Sequence, residues 1–131
     1  MSENGDIIRK AYDDFNSGNV DAVLESWADD IHWEGSSSEE VPGGGTYHGK
    51  QDAAQTLARI PENFESFQSP GDEFIESGDT VVVLGHAEGR AKSSGTEFEV
   101  PFVHVWRLED GKIKRAQLFF DTAVIVDAVH G

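Results

Sequence analysis

The chain has 131 residues, no cysteine, 25 acidic against 10 basic side chains and a formal net charge of −15. That length carries a single domain, residues 1–131, with one sizeable core, and the missing thiols exclude disulfides, thiolate nucleophiles, Cys-ligated zinc and iron–sulfur clusters. The acid excess opposes contact with a nucleic-acid backbone or an anionic membrane, and no apolar run approaches the length of a membrane span.

The first residues, MSENGDIIRK, show neither the basic start nor the apolar centre of a signal peptide, so a cytoplasmic protein is expected. Ile7, Ile8, Ala11, Tyr12 and Phe15 then recur along one stripe of a first helix. Ser17-Gly18-Asn19 ends it, and Asn19 caps a second helix with Val20, Val23, Leu24 and Trp27 on its apolar face. Ile31-His32-Trp33-Glu34 is a short strand. Gly35 to Tyr47, which includes Ser36-Ser37-Ser38 and Gly43-Gly44-Gly45, has the composition of a flexible loop. Lys50 to Ile60 carries Ala53, Ala54, Leu57 and Ile60 on a third helix, stopped by Pro61.

From Phe64 onward the apolar period changes to two. Strands are predicted over 64–69, 73–77, 80–90, 96–108 and 112–126. Their turns fall at Ser77-Gly78-Asp79, Ser93-Ser94-Gly95 and Glu109-Asp110-Gly111, the last a strong hairpin signal. Three N-terminal helices followed by a long antiparallel meander make an α+β fold. Helices packed on one face of a strongly curved, mainly antiparallel sheet form a cone, and the mouth of a cone is a natural small-molecule pocket.

Several stretches resemble one family in order and spacing. They are Ala11 to Ala22, Trp27-Ala28-Asp29-Asp30-Ile31-His32-Trp33-Glu34, Tyr47-His48-Gly49-Lys50, Val103-His104-Val105-Trp106-Arg107 with Asp110-Gly111-Lys112-Ile113, and Phe119-Phe120-Asp121. The family is the nuclear-transport-factor-two-like cone fold, in its SnoaL-like polyketide-cyclase and ketosteroid-isomerase-like branch. Ketosteroid isomerases use an Asp base and an oxyanion hole of a Tyr and a protonated Asp. Here the matching positions hold Ala11 (with Tyr12 beside it), Gly35 and His104, so the isomerase set is not reproduced. The resemblance to polyketide cyclases implies instead a pocket His, His104, paired with an Asp at the end of the last strand, Asp121.

The residues themselves carry these roles with alternatives. Asp121 stands between Leu118-Phe119-Phe120 and Thr122-Ala123-Val124-Ile125-Val126, and a carboxylate in apolar surroundings is a better base toward a weakly acidic C–H. The plain alternative is a strand-end carboxylate facing solvent or bonding a nearby N–H. Alternation places Phe102, His104 and Trp106 on one face, where His104 can donate to an enolate oxygen or shuttle a proton, or simply sit satisfied in the core. Counting from the Asp110-Gly111 turn pairs residue 104 near 117 and leaves roughly 10–14 Å to Asp121 along straight strands, room for a substrate. Tyr12, Trp33, Phe102, Trp106 and Phe119 are the expected pocket lining, with core packing the alternative for Tyr12 and Trp33.

The five histidines, His32, His48, His86, His104 and His130, show no metal-motif spacing, and there is no phosphate loop or serine elbow, so neither metal nor cofactor is expected. The expected activity is cofactor-independent acid/base chemistry, an isomerase, aldol cyclase or related lyase or hydrolase, on an apolar carbonyl compound. The alternative is a ligand-binding or assembly domain without turnover. A homodimer through the sheet is expected in each case, with Val81, Val83 or Val103 and Val105 on its outer face. The acid excess reads either as solubility by self-repulsion or as adaptation to a salt-rich cytosol, where the Debye length falls to about 3 Å at 1 M.

Overall fold

A computed structural model gives the architecture and describes residues 3–38 and 40–131. Met1 and Ser2, in the N-terminal stretch read above, and Glu39, in the predicted loop, lie outside the described residues. Helix α1 (Glu3–Asn16) turns Ile8 and Tyr12 fully inward. Helix α2 (Val20–Glu25) starts under Asn19, whose side-chain oxygen accepts the Ala22 N–H at 3.4 Å. This helix is shorter than its apolar spacing suggests, because Trp27 belongs to strand β1 (Trp27–Glu34). Inside the predicted loop a short strand, β2 (Thr46–His48), pairs antiparallel with β1 in the register His32↔His48. Helix α3 (Lys50–Asn63) runs past Pro61. A proline so near the C-terminal end forfeits one N–H bond and leaves the rest of the ladder intact.

The five remaining strands are β3 (Phe64–Gln68), β4 (Gly71–Ser77), β5 (Thr80–Ala91), β6 (Glu97–Glu109) and β7 (Lys112–Phe120). All three predicted turns fall between the strands expected of them. In the last, Asp110 and Gly111 have φ of 51° and 76°, the doubly left-handed geometry that matches the twist of a two-residue hairpin. The sheet runs β2-β1-β7-β6-β5-β3, with β4 pairing the first half of β5. Every pair is antiparallel except β1 with β7. The sheet curls into a half-barrel, the α+β cone.

The predicted long last strand is a correction. It stops at Phe120, and Thr122–His130 forms a fourth helix, α4. The β-branched run over 122–126 favours a strand locally, but Ile125 and Ala128 with Val124 and Val129 also make a helical stripe, and packing against β5 and β6 decides for the helix. Ser93 and Ser94, in the β5–β6 turn, donate to the carbonyls of Val129 and Ala128, each at 2.5 Å, so two end carbonyls of α4 are satisfied. No helix among the described residues is long and apolar enough to cross a membrane.

Candidate functional site

Between the helices and the concave face of the sheet lies a cavity of about 170 Å³. An apolar engineered cavity of roughly 150 Å³ takes a benzene ring, so this one has room for a single ring and a substituent. Its wall is aromatic and aliphatic: Trp27, Trp33, Phe102, Trp106 and Phe120 from the sheet face Tyr12, Phe15 and Leu57 from the helices. Trp33 packs 4.9 Å from Trp27 and 5.8 Å from Trp106, centroid to centroid. Among the described residues that line it there is no Asp, Glu, Lys or Arg.

The titratable imidazole on this wall is His104. Its ring stacks on Phe102 at 3.8 Å and 6° and meets Trp106 edge-on at 5.9 Å. Nδ1 lies 2.5 Å from the Tyr12 hydroxyl, and the same hydroxyl accepts the Trp106 indole N–H at 2.9 Å. Three residues from α1 and β6 thus form one chain of hydrogen bonds, buried at Trp106 and Tyr12 and half-buried at His104. Burial in these apolar surroundings pushes the imidazole pKa down from 6.5 to about 3, so the ring is neutral at physiological pH. Burial pushes the Tyr12 phenol up, partly opposed by the indole N–H that it accepts. Among the other polar groups on the wall, Thr56 Oγ1 donates to Ala53 O at 2.9 Å, and Ser36 Oγ accepts the Ser38 N–H at 3.1 Å. Trp33 Nε1 is buried without a hydrogen-bond partner among the described residues.

Tyr12, Trp33, Phe102, His104 and Trp106 line the cavity together. Phe119 and Asp121 do not. Phe119 is 53% exposed on the outer face, and its neighbours Leu118 and Phe120 take the inner positions. Asp121 is exposed at the start of α4, where its side chain accepts the Ala123 N–H at 3.1 Å. It therefore lacks the apolar surroundings that the base role needs, and the pairing of Asp121 with His104 in one hollow does not occur.

A bulge accounts for the Phe119 correction, and the end of β7 at Phe120, with Asp121 capping α4, accounts for the other. Glu109↔Lys112 and Leu108↔Ile113 follow the turn, but the register then shifts, so Arg107 faces Arg115 and His104 faces Leu118 rather than residue 117. One extra residue on β7 reverses which of its side chains look inward. As an N-cap, Asp121 acts on stability alone. Asp121→Ala is expected to cost about 1 kcal/mol in urea unfolding and Asp121→Asn close to nothing, with ligand affinity equal to wild type in both. A loss of affinity in Asp121→Asn would return the residue to the site.

The outer face of the sheet carries its own cluster. Glu34, opposite Trp33, accepts from Arg115 at 2.6 Å and Gln117 at 3.2 Å, and the Arg115 guanidinium foremost holds its carboxyl below the usual range. His32 bridges Glu34 and His48, at 3.0 and 3.1 Å. No group of three or more His, Asp or Glu among the described residues is arranged to hold a metal ion.

The curled sheet with its helices is an architecture that known proteins share. The SnoaL-like domain profile matches residues 8–116, and the chain belongs to that family. It is similar over its full length, at 31% identity and a TM-score of 0.90, to an NTF2-like protein of unknown function from Burkholderia pseudomallei, itself covered in full. It is 30% identical to TerC, co-crystallized with polyporic acid, over 99% of this chain and 100% of that one, with a TM-score of 0.89. A protein of ketosteroid isomerase-like fold from Catenulispora acidiphila, in complex with trimethylamine, shares the fold at 18% identity and a TM-score of 0.81, over 95% of this chain and 92% of that one. No curated protein matches.

Proposed function

We propose that the protein binds a ring-sized, largely apolar molecule bearing a carbonyl or similar oxygen, with the ring held by the aromatic wall and the oxygen by His104. The observation that carries this reading is an imidazole on the wall of a cavity whose described lining is mostly apolar and otherwise uncharged. Burying a ring of this kind is worth about 25 cal/mol per Å² of apolar surface, and one polar contact then orients it. The co-crystal of TerC with polyporic acid supports a small organic ligand for this fold at this level of identity. Ligands in excess at about 100 times Kd are expected to add about 2.7 kcal/mol to stability, read as a rise in Tm with one-ring ketones. Ala87→Phe, which grows a side chain into the cavity from β5, is expected to abolish that rise. Unchanged Tm across a panel of such compounds would remove the reading.

A cofactor-independent enzyme acting on the same molecules, an isomerase, cyclase or related lyase or hydrolase, is the second reading. The His104–Tyr12 pair favours it, since a donor aimed at a carbonyl oxygen stabilises the charge that develops there. The described wall residues include no carboxylate base for the proton abstraction, which puts ligand binding first.

We further propose that two copies associate through the outer face of the sheet. Ile75, Val103 and Phe119 stand exposed there at 47, 38 and 53%, with Val103 paired to Phe119 across the ladder. The two outward arginines, Arg107 and Arg115, are paired beside them and offset the chain's acid excess locally. Val81 and Val83, expected on this face, are fully buried in the core, because β5 turns its odd-numbered residues inward. The Phe119→Glu variant is expected to sediment as a monomer where the wild type sediments as a dimer. A monomeric wild type would dismiss this interface.

A further inference from the structure

We infer that Trp106 and Tyr12 fix the proton of His104 on Nε2, so that the cavity presents its ligand with a hydrogen-bond donor and selects molecules carrying an acceptor over those carrying a donor in the same place. This rests on the ligand-binding reading above and goes beyond it, because it assigns the direction of the contact and names the residues that set it.

The direction follows from donor and acceptor identities. An indole N–H can only donate, so the Trp106 N–H, 2.9 Å from the Tyr12 oxygen, occupies a lone pair of that oxygen. The Tyr12 hydroxyl proton then points elsewhere, and His104 Nδ1, at 2.5 Å, is the acceptor in reach. The opposite arrangement, with Nδ1–H donating to the oxygen, leaves a buried hydroxyl proton with no acceptor. Nδ1 is therefore bare. The ring is neutral because its surroundings exclude charge, and it carries one proton. That proton sits on Nε2, which has no hydrogen-bond partner among the described residues and belongs to a side chain on the cavity wall. The tautomer is thus set two residues away from the ligand, by a tryptophan that only donates. An acceptor oxygen, whether carbonyl, enolate or phenolate, meets a donor there. A group that only donates, such as an indole N–H, meets a second donor in the same place and leaves both unpaired.

The test uses the full chain with ¹⁵N-labelled histidine and three probes of similar size: acetophenone (an acceptor), α-methylstyrene (its shape without the oxygen) and indole (a donor). In the wild type at pH 7 the His104 nitrogen shifts are expected to show Nε2 protonated and Nδ1 bare. Acetophenone is expected to bind on the order of tenfold more tightly than α-methylstyrene, and indole to gain nothing from its N–H. Tyr12→Phe, which removes the hydroxyl with little change of shape, is expected to mix the two tautomers and to cut the acetophenone-to-indole preference by about tenfold. Trp106→Phe frees the Tyr12 oxygen to accept from Nδ1, and is expected to mix them in part. A wild-type ring protonated on Nδ1, or a preference that Tyr12→Phe leaves untouched, overturns the inference. If none of the probes binds, the ligand-binding reading and the selectivity fall together, while the nitrogen shifts still decide where the proton sits.

Discussion

Between pH 6.5 and pH 3 the protein is expected to lose on the order of 4 kcal/mol of stability through His104 alone. In the unfolded chain the imidazole takes its proton near 6.5; in the fold, burial delays that to about 3. Within this window the unfolded state binds one proton more than the folded state, so each unit of acidification favours unfolding by about 1.4 kcal/mol. Above 6.5 the ring is neutral in both states, and its contribution is present in full; it is lost as pH falls. Other groups modify the slope without reversing its origin. Protonating the many acidic side chains relieves the self-repulsion of a −15 chain and offsets part of the loss. Glu34, held low chiefly by Arg115, adds to the loss below about pH 4.5. His86, raised by its bond to Asp72, has the opposite sign: its stability is present below 6.5 and fades as pH rises through its folded value, but it titrates at the surface. Comparing wild type with His104→Phe isolates the one term. Urea midpoints for the variant are expected to vary much less with pH over this interval, whatever the variant's stability at pH 7. Parallel curves for the two proteins would show that His104 is not desolvated.

Why the imidazole was legible in the sequence and the carboxylate was not comes down to parity along two strands. On β6 the alternation Phe102, His104, Trp106 is unbroken, so one count from one residue places all three on the cavity wall. On β7 the same count must cross the register shift between Arg107 and Leu108, and an extra residue has no signature in a run such as Lys112-Ile113-Lys114-Arg115. Phe119 was displaced by that single step, and Asp121 by the end of the strand at Phe120, beyond which it caps α4. The fold was easier because it rests on many weak signals that agree: the Asn19 cap, the Asp110-Gly111 turn and the switch from helical to two-residue period each stand independently. The fourth helix was hidden because Val124, Ile125 and Val126 favour a strand and only the tertiary surface of β5 and β6 selects the helical stripe; Asp121 before Thr122 was the cap that could have announced it. The hydrogen-bond chain from Trp106 through Tyr12 to His104 links α1 to β6 across 92 and 94 residues, a proximity that local pattern does not encode.

Phe102→Ala is expected to cost about 3–5 kcal/mol at pH 7 and, at the same time, to flatten the acid limb that His104 produces. The ring is 4% exposed and covers one face of the imidazole at 3.8 Å. On its other side it fills the space above Gly85, where an added Cβ would come within 2.6 Å of the ring's Cζ. Truncation leaves a hole that these neighbours fill poorly, since Gly85 has no side chain to move in and the sheet fixes the backbone on both sides. It also lets water reach His104, and hydration of the charged form returns the imidazole pKa toward 6.5. The two effects are distinct in pH: the packing loss is constant, whereas recovered hydration removes a penalty that the wild type meets only in acid. The gap between variant and wild type should therefore be widest near neutrality and close as pH falls toward 4. Phe102→Leu separates them, because it keeps an apolar cover over the ring; it is expected to lose less stability and to retain the wild-type slope. A gap for Phe102→Ala that stays constant from pH 7 to pH 4 would mean that the phenyl ring contributes packing alone and that His104 owes its neutrality to other walls of the cavity.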